Sequence, residues 1–260
     1  MRQRSESAIR IVSWNLGHQT RLAEIHPRFL DAVRTLAPDV LVLNEYVHDD
    51  KKRAPLIKGI AGNDVGLTCH LVSEQIMRPA TAPGGKRLRN NQVLVASRFE
   101  LRPGSLHGPS TTDNGGEANF LHVAIDSLSI EIVGIRVQAY GKRMLAPYWD
   151  AFLDLANGVV DRKICFVGDF NADPDRNVHM GGKRFASLRD HGWRIPSPEG
   201  DWSYQSGTRI DHALASPSFP AVSAKYIAKQ GGLILGGTSF EAISDHAALV
   251  IDMTTSPAVH

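Results

Sequence analysis

The sequence predicts an α/β protein built as one domain, and three observations predict it. Apolar, strand-like runs alternate with segments of helical period along the whole chain. The 260 residues suffice to bury a substantial core. No stretch rich in Pro, Gly or Ser divides them. Residues 8–254 are expected to form the domain, with 1–7 and 255–260 as tails.

Ile9, Ile11 and Val12 begin a strand that runs out at Ser13-Trp14-Asn15-Leu16-Gly17. Asn15 alone would be an ordinary turn residue. Phe29, Leu30, Val33 and Leu36 recur at helical spacing, and Pro38 closes that helix. Val40 to Leu43 is an unbroken apolar strand leading into Asn44-Glu45-Tyr46. Burying an unpaired carboxylate is costly, so Glu45 either sits at the exposed strand end or has a cation. Residues 50–61 fit a short helix, and Val65 to Val72 a strand. Residues 75–91 contain Pro79, Pro83, Gly84 and Gly85 and read as a loop. Gln92 to Ser97, Phe120 to Ile125 and Ser129 to Val137 are further strands, the last carrying Arg136 near its end. A helix from about Leu145 to Val160 places Trp149, Phe152, Leu153 and Ala156 on one face.

The chain is centred on the next stretch. Ile164, Cys165, Phe166 and Val167 form a buried strand, and Gly168 removes bulk as it runs out. Asp169 and Asn171 follow two apart, so extended backbone would aim both side chains the same way. Pro174 stops the strand. Read alone, this is also an Asx-rich turn. Phe185 and Leu188 suggest another helix; Arg209 to Ala215 is apolar around Asp211; Val222 to Ala228 fits an edge strand. The Gly231 to Gly237 loop lacks the Lys-Ser or Lys-Thr of a phosphate-binding loop. Ser244-Asp245-His246 leads into a last strand, Ala247 to Met253.

Composition narrows the partners. A net charge of +2 does not by itself point to nucleic acid. Arg78, Lys86, Arg87, Arg89, Arg98 and Arg102 do gather against a single acid, Glu100, as either a solvated loop or an anionic-substrate rim. Cys69 and Cys165 lie in apolar runs, read as small core residues, and imply no disulfide framework. With no apolar leader in residues 1–7 and no membrane-length apolar run, a cytoplasmic monomer without a membrane partner is expected. No G-x-S-x-G elbow supports acyl transfer by a serine.

Strand ends thus carry Asn15, Glu45, Asp169 with Asn171, Asp211, and Asp245 with His246. Such oxygen-rich groups suit Mg²⁺ or Mn²⁺, whereas zinc would want more His or Cys. One or two carboxylates on a hard cation, with room for water and phosphate oxygens, is an arrangement for phosphate chemistry. An Asp beside a His offers a carboxylate-oriented ring.

Ser13-Trp14-Asn15, Leu43-Asn44-Glu45, Gly168-Asp169-Phe170-Asn171, Arg209-Ile210-Asp211 and Ser244-Asp245-His246 occur in this order over almost the whole chain. Together they resemble the endonuclease/exonuclease/phosphatase superfamily, which includes exonuclease III, abasic-site endonucleases and pancreatic deoxyribonuclease. The resemblance implies a four-layer sandwich, two facing mixed β-sheets flanked by helices, with the site at one edge. It implies that Glu45 binds the metal with Asn15 beside it, and that Asp245 sits at the metal edge or behind the ligands. It implies that Asp169 orients or deprotonates water and Asn171 holds a phosphate oxygen. His246, its ring fixed by Asp211, would contact the scissile phosphate.

Two departures stand out. Asn44 replaces the family's usual Gln. Arg136 fills the slot that normally presents His or Tyr to phosphate. Arg136 then either clamps phosphate or makes a structural ion pair with Glu45 or Asp169, and Tyr140 is an alternative source of the hydroxyl. The leading expectation is a divalent-metal phosphodiesterase acting on nucleic acid. The alternatives are a phosphoesterase for a small-molecule, lipid-headgroup or inositol phosphate, and a binding module with a degenerate site.

Overall fold

The computed structural model describes residues 8–17, 25–49, 51–73, 92–109, 119–137, 142–176 and 180–255. Strands β1 (Ala8–Asn15), β2 (Val40–Tyr46), β3 (Cys69–Val72), β4 (Gln92–Ser97), β10 (Val222–Ile227) and β13 (Ala248–Thr254) form one sheet, in the order β10-β13-β1-β2-β4-β3. Strands β5 (Arg102–Pro103), β6 (Phe120–Ile125), β7 (Ile130–Arg136), β8 (Ile164–Asp169) and β9 (Asp211–Ala215) form a second sheet in chain order. A hairpin, β11 (Lys229–Gln230) and β12 (Leu233–Ile234), stands apart. Pairing is parallel for β1 with β2 and β7 with β8, and antiparallel elsewhere, so both sheets are mixed.

Residue alternation builds the layers. Ile9 and Ile11 of β1 join Val40 and Val42 of β2 and Cys165 and Val167 of β8 in a core between the sheets. The alternate residues Val12, Trp14 and Leu16 pack outward with Phe29, Val33 and Leu36 of α1 (Phe29–Leu36) and Leu56 and Ile60 of α2 (Ala54–Ala61). On the other side Phe166 meets Trp149 and Phe152 of α3 (Lys142–Asn157) and Phe185 and Leu188 of α4 (Met180–Asp190). Strands covered on both faces need unbroken apolar runs, which is why β2 and β8 read that way. The four layers anticipated from the family resemblance are present. The sheets approach closely at Gly134, where a Cβ would lie 2.5 Å from Val93 Cγ1 and 2.8 Å from Val42 Cγ1.

Several elements differ from expectation. The strand expected at Val65 begins only at Cys69, because Val65 and Leu67 fold back on α2 through bonds to Gly62 and Ile60 carbonyls. Cys69 is half-buried on the edge strand β3; only Cys165 is a core residue. The glycine-rich segment holds the β11–β12 hairpin, with Gly231 and Gly232 at φ 57° and 75° making its turn. Strand β10 does lie at a sheet edge. The loop expected over 75–91 and the tail at 1–7 fall outside the described residues.

Candidate active site

The topology gathers the polar strand ends at one edge. Strands β1 and β2 run parallel, β1 ending at Asn15 and β2 carrying Glu45 one residue before its end; β7 and β8 run parallel and end at Arg136 and Asp169. Asp211 starts β9 directly opposite Asp169. Strand β13 is antiparallel to β1, so Asp245 and His246, just before it, lie at the Asn15 end.

Period-two alternation aims most of these groups between the sheets. Asn15 shares the parity of Ile9 and Ile11, Arg136 that of Ile130 and Ile132, and Asp169 that of Cys165 and Val167. Glu45 has the opposite parity and would face the helices. A β-bulge corrects this: Leu43 pairs with Leu94 and Tyr46 with Gln92, so β2 holds one extra residue. Glu45 adopts φ 56°, and Tyr46 resumes the outward direction. Gly168 is required where β8 ends, since its φ is 150° and a Cβ would sit 1.9 Å from Ile135 O.

Asp169 is buried, and its carboxylate is held on all sides. Oδ2 accepts from Asn15 Nδ2 at 2.9 Å and Asn171 Nδ2 at 3.1 Å; Oδ1 accepts from the Asn171 backbone N–H at 2.8 Å. Burial, then the nearby Asp211 charge, raises its pKa to about 6, against the opposing pull of His246, Arg136 and the Asn171 N–H. Asn171 is not extended. Its φ of 48° curls it back onto Asp169, and its amide nitrogen also donates to Val137 O at 2.6 Å. Asn15 thus partners Asp169 directly.

Arg136 reaches across to the other sheet. Its Nε and Nη2 lie 2.9 and 2.8 Å from the same oxygen, Glu45 Oε1, while Asp169 Oδ2 is 3.7 Å from Nε. The Arg136 and Glu45 side chains are only 4% and 5% exposed, so this pair is desolvated. The sequence left open a structural pair with Glu45 or Asp169; Glu45 takes the hydrogen bonds, and Asp169 lies at ion-pair distance.

His246 Nδ1 lies 2.8 Å from Asp211 Oδ2. Burial opposes a charge on the ring, but Asp211, with Asp169 and Asp245 behind it, outweighs burial and raises the pKa to about 9. The Tyr204 ring packs 4.9 Å from the His246 ring. Ser244 Oγ accepts the His246 N–H at 3.0 Å and donates to Asn15 O at 2.6 Å. Trp14 Nε1 donates to His246 O at 3.0 Å. Ser203 Oγ accepts the Asp211 N–H, and Tyr226 OH donates to Asp211 O. Asp245 is half-buried, its carboxylate lying where a Cβ on Gly17 would be, 2.0 Å from Oδ1. Tyr140 lies outside the described residues. Sequence reasoning missed Ser203 and Tyr204, which sit in a segment with no periodic signal, and Tyr226, on the edge strand β10 but in no site motif.

The donors fit a hard divalent cation. Among the described residues no three His, Cys, Asp or Glu groups converge into a cage. Mg²⁺ needs only one or two carboxylates beside water and phosphate. The Arg136 guanidinium is a stand-in cation here, held against Glu45 with Asp169 close by.

The fold is thus a four-layer α/β sandwich with Asp169, His246 and Glu45 buried together at one edge. A family model described as the Endonuclease/Exonuclease/phosphatase family matches residues 12–246, and the chain belongs to that family. Comparison with curated protein sequences gives no match. Among solved structures, an endonuclease/exonuclease/phosphatase from Beutenbergia cavernae aligns with a TM-score of 0.69 at 19% identity, covering 97% of this chain and 73% of that one. A 3′ phosphatase from Neisseria, bound to a product DNA hairpin, aligns at 0.61 and 19%, covering 96% and 100%. Truncated TDP2 from Caenorhabditis elegans aligns at 0.59 and 14%, covering 95% and 97%. At these identities the likeness speaks for the fold.

Proposed function

We propose that the chain hydrolyses a phosphodiester of nucleic acid, with Mg²⁺ or Mn²⁺, by in-line attack of water on phosphorus. The observation that carries this is the triplet of Asp169, held by two asparagines, with His246 and Asp211 opposite it. Asp169, with its pKa raised to about 6, is an ionised base near neutral pH that still takes a proton readily. Asn15 and Asn171 fix its oxygens so that water meets a preorganised acceptor. His246 carries a positive charge at neutral pH, and Asp211 holds the ring by one nitrogen, leaving the other for phosphate. Glu45, with Asp245 at the rim, would hold the cation, which supplies charge neutralisation on the phosphate oxygens. The DNA in the Neisseria structure favours nucleic acid over a small phosphoester. Arg98 and Arg102 do not form the expected substrate rim: they lie at the ends of their sheets opposite the site, beside Val40 and Ala124, and pair with Asp39 and Asp126.

The same reading takes residues 8–254 as one catalytic unit acting as a monomer in the cytoplasm. The two cysteines are unpaired, and no described helix is long and apolar enough to cross a membrane. Plasmid, single-stranded RNA, abasic duplex and bis-p-nitrophenyl phosphate, each with and without EDTA, test the reaction and its substrate. EDTA-sensitive cleavage of a nucleic acid is the expected result. Hydrolysis of the small diester alone would move the substrate to small phosphoesters, and no hydrolysis at all would leave a binding module.

A further inference from the structure

We propose that Arg136 is an exchangeable counter-cation: it neutralises Glu45 in the metal-free enzyme, yields Glu45 to a divalent cation, and passes its guanidinium to the substrate phosphate. This rests on the reading of the site as a metal-dependent phosphodiesterase. Clamp and ion pair then become two states of one residue.

Two observations carry the inference. First, Arg136 hydrogen-bonds Glu45 through two of its nitrogens. Two N–H groups of Arg136 converge on one oxygen of Glu45, at 2.9 and 2.8 Å, while Asp169 lies at 3.7 Å, beyond hydrogen-bonding distance. The oxygen best placed to bind a cation is therefore already engaged by one. Second, Arg136 is 3% exposed and permanently charged. It cannot retreat into water when Glu45 is taken, so its charge has to be met inside the site. Asp169 lies at ion-pair distance, but Asn15 and Asn171 already bond both of its oxygens. A phosphate, matched by the planar guanidinium fork, is the better partner.

Metal and phosphate should therefore bind with positive coupling that runs through Arg136, and linkage requires the effect to be reciprocal. The test is Mn²⁺ binding, followed by electron paramagnetic resonance of the free ion, with and without dimethyl phosphate, a diester that resists hydrolysis. In the native enzyme the diester should tighten Mn²⁺ by at least about fivefold. Arg136→Gln should bind Mn²⁺ more tightly than native without the diester, and should lose most of the tightening. Arg136→Lys keeps the charge and loses the fork, so it should match native Mn²⁺ affinity while the tightening shrinks. A thermal melt checks that each variant folds, and the Lys variant decides the matter if the Gln variant does not. Unchanged or weaker Mn²⁺ binding in Arg136→Gln, or full tightening in either variant, overturns the proposal. If native enzyme binds no Mn²⁺ even with the diester, the metal-dependent reading itself falls. Binding with no difference between native and variants removes the exchange alone.

Discussion

Strand β7 carries an arginine–carboxylate system at each end. At its start, Glu131 pairs with Arg162 and accepts from His122 Nε2 at 2.8 Å. At its finish, Arg136 pairs with Glu45. The chemistry is alike and the setting is not. Glu131 and Arg162 are 26% and 33% exposed, whereas Arg136 and Glu45 are 4% and 5% exposed. A wetted pair contributes little, because water competes for both charges. A desolvated pair cannot lose one member without stranding the other. The upper pair also joins the two sheets, since Arg136 belongs to one and Glu45 to the other. The difference separates a solvated rim contact from a site poised to exchange partners.

The sharpest way to break the comparison is turnover. Asp169→Asn and His246→Ala should each lower it by roughly 10²–10⁴ while the fold survives, as when preorganised catalytic groups are removed. Glu131→Gln, at the other end, should leave it near native. Hydrolysis of bis-p-nitrophenyl phosphate beside a circular-dichroism melt checks all three. A native rate in either upper variant would remove that residue from the chemistry.

Metal dependence comes next. Glu45→Gln keeps shape and loses charge, so activity should fall and recover partly at high Mg²⁺ or Mn²⁺. Glu131→Gln should leave the metal titration where it was. An unmoved titration for Glu45→Gln would take this residue out of the cation site.

Stability should separate the arginines by a smaller margin. Arg136→Ala strands a buried carboxylate and should cost about 3–5 kcal/mol. Arg162→Ala should cost under about 1 kcal/mol. Urea unfolding in EDTA measures both, and equal costs would erase the distinction by burial.

The subtlest contrast is in pH. Burial lowers the pKa of His122 despite Glu131 beside it, whereas Asp211 raises His246 to about 9 against its own burial. The lowered histidine favours the neutral ring in the fold. Its stability contribution is present above about 6.5 and is lost as pH falls below that. The raised histidine favours the charged ring. Its contribution is full below about 6.5 and is lost as pH rises toward 9. In EDTA, His122→Gln should flatten the acid limb of unfolding stability, and His246→Gln the alkaline limb. The same limb changing in both would contradict the assignment.

Much of this was legible in the sequence, for definite reasons. Buried strands need unbroken apolar runs, so Val40 to Leu43 and Ile164 to Val167 announced themselves, and their polar ends marked the edge. The direction of Glu45 was hidden, because alternation aims it at the helices and only the bulge turns it inward. The choice between partners for Arg136 was hidden too, since it depends on which sheet lies across the gap. Ser203, Tyr204 and Tyr226 brace Asp211 and His246 from a loop and an edge strand with no site motif to flag them. Val65 and Leu67 misled by being apolar without being a strand.

Strand β13 lies between β10 and β1, with Ala8 opposite Thr254. That register has a consequence in time. During synthesis, β1 emerges long before β13, the second of its two partner strands, and Trp14 waits 232 residues for the His246 carbonyl it bonds. Until β13 arrives, β1 offers an open edge of unpaired backbone groups, a template for wrong partners. Pairing at such sequence separation is slow, because loop closure precedes any reward from contact. Recovery of activity during refolding should therefore follow closure of the β1–β13 pair, and lag behind local structure such as α3.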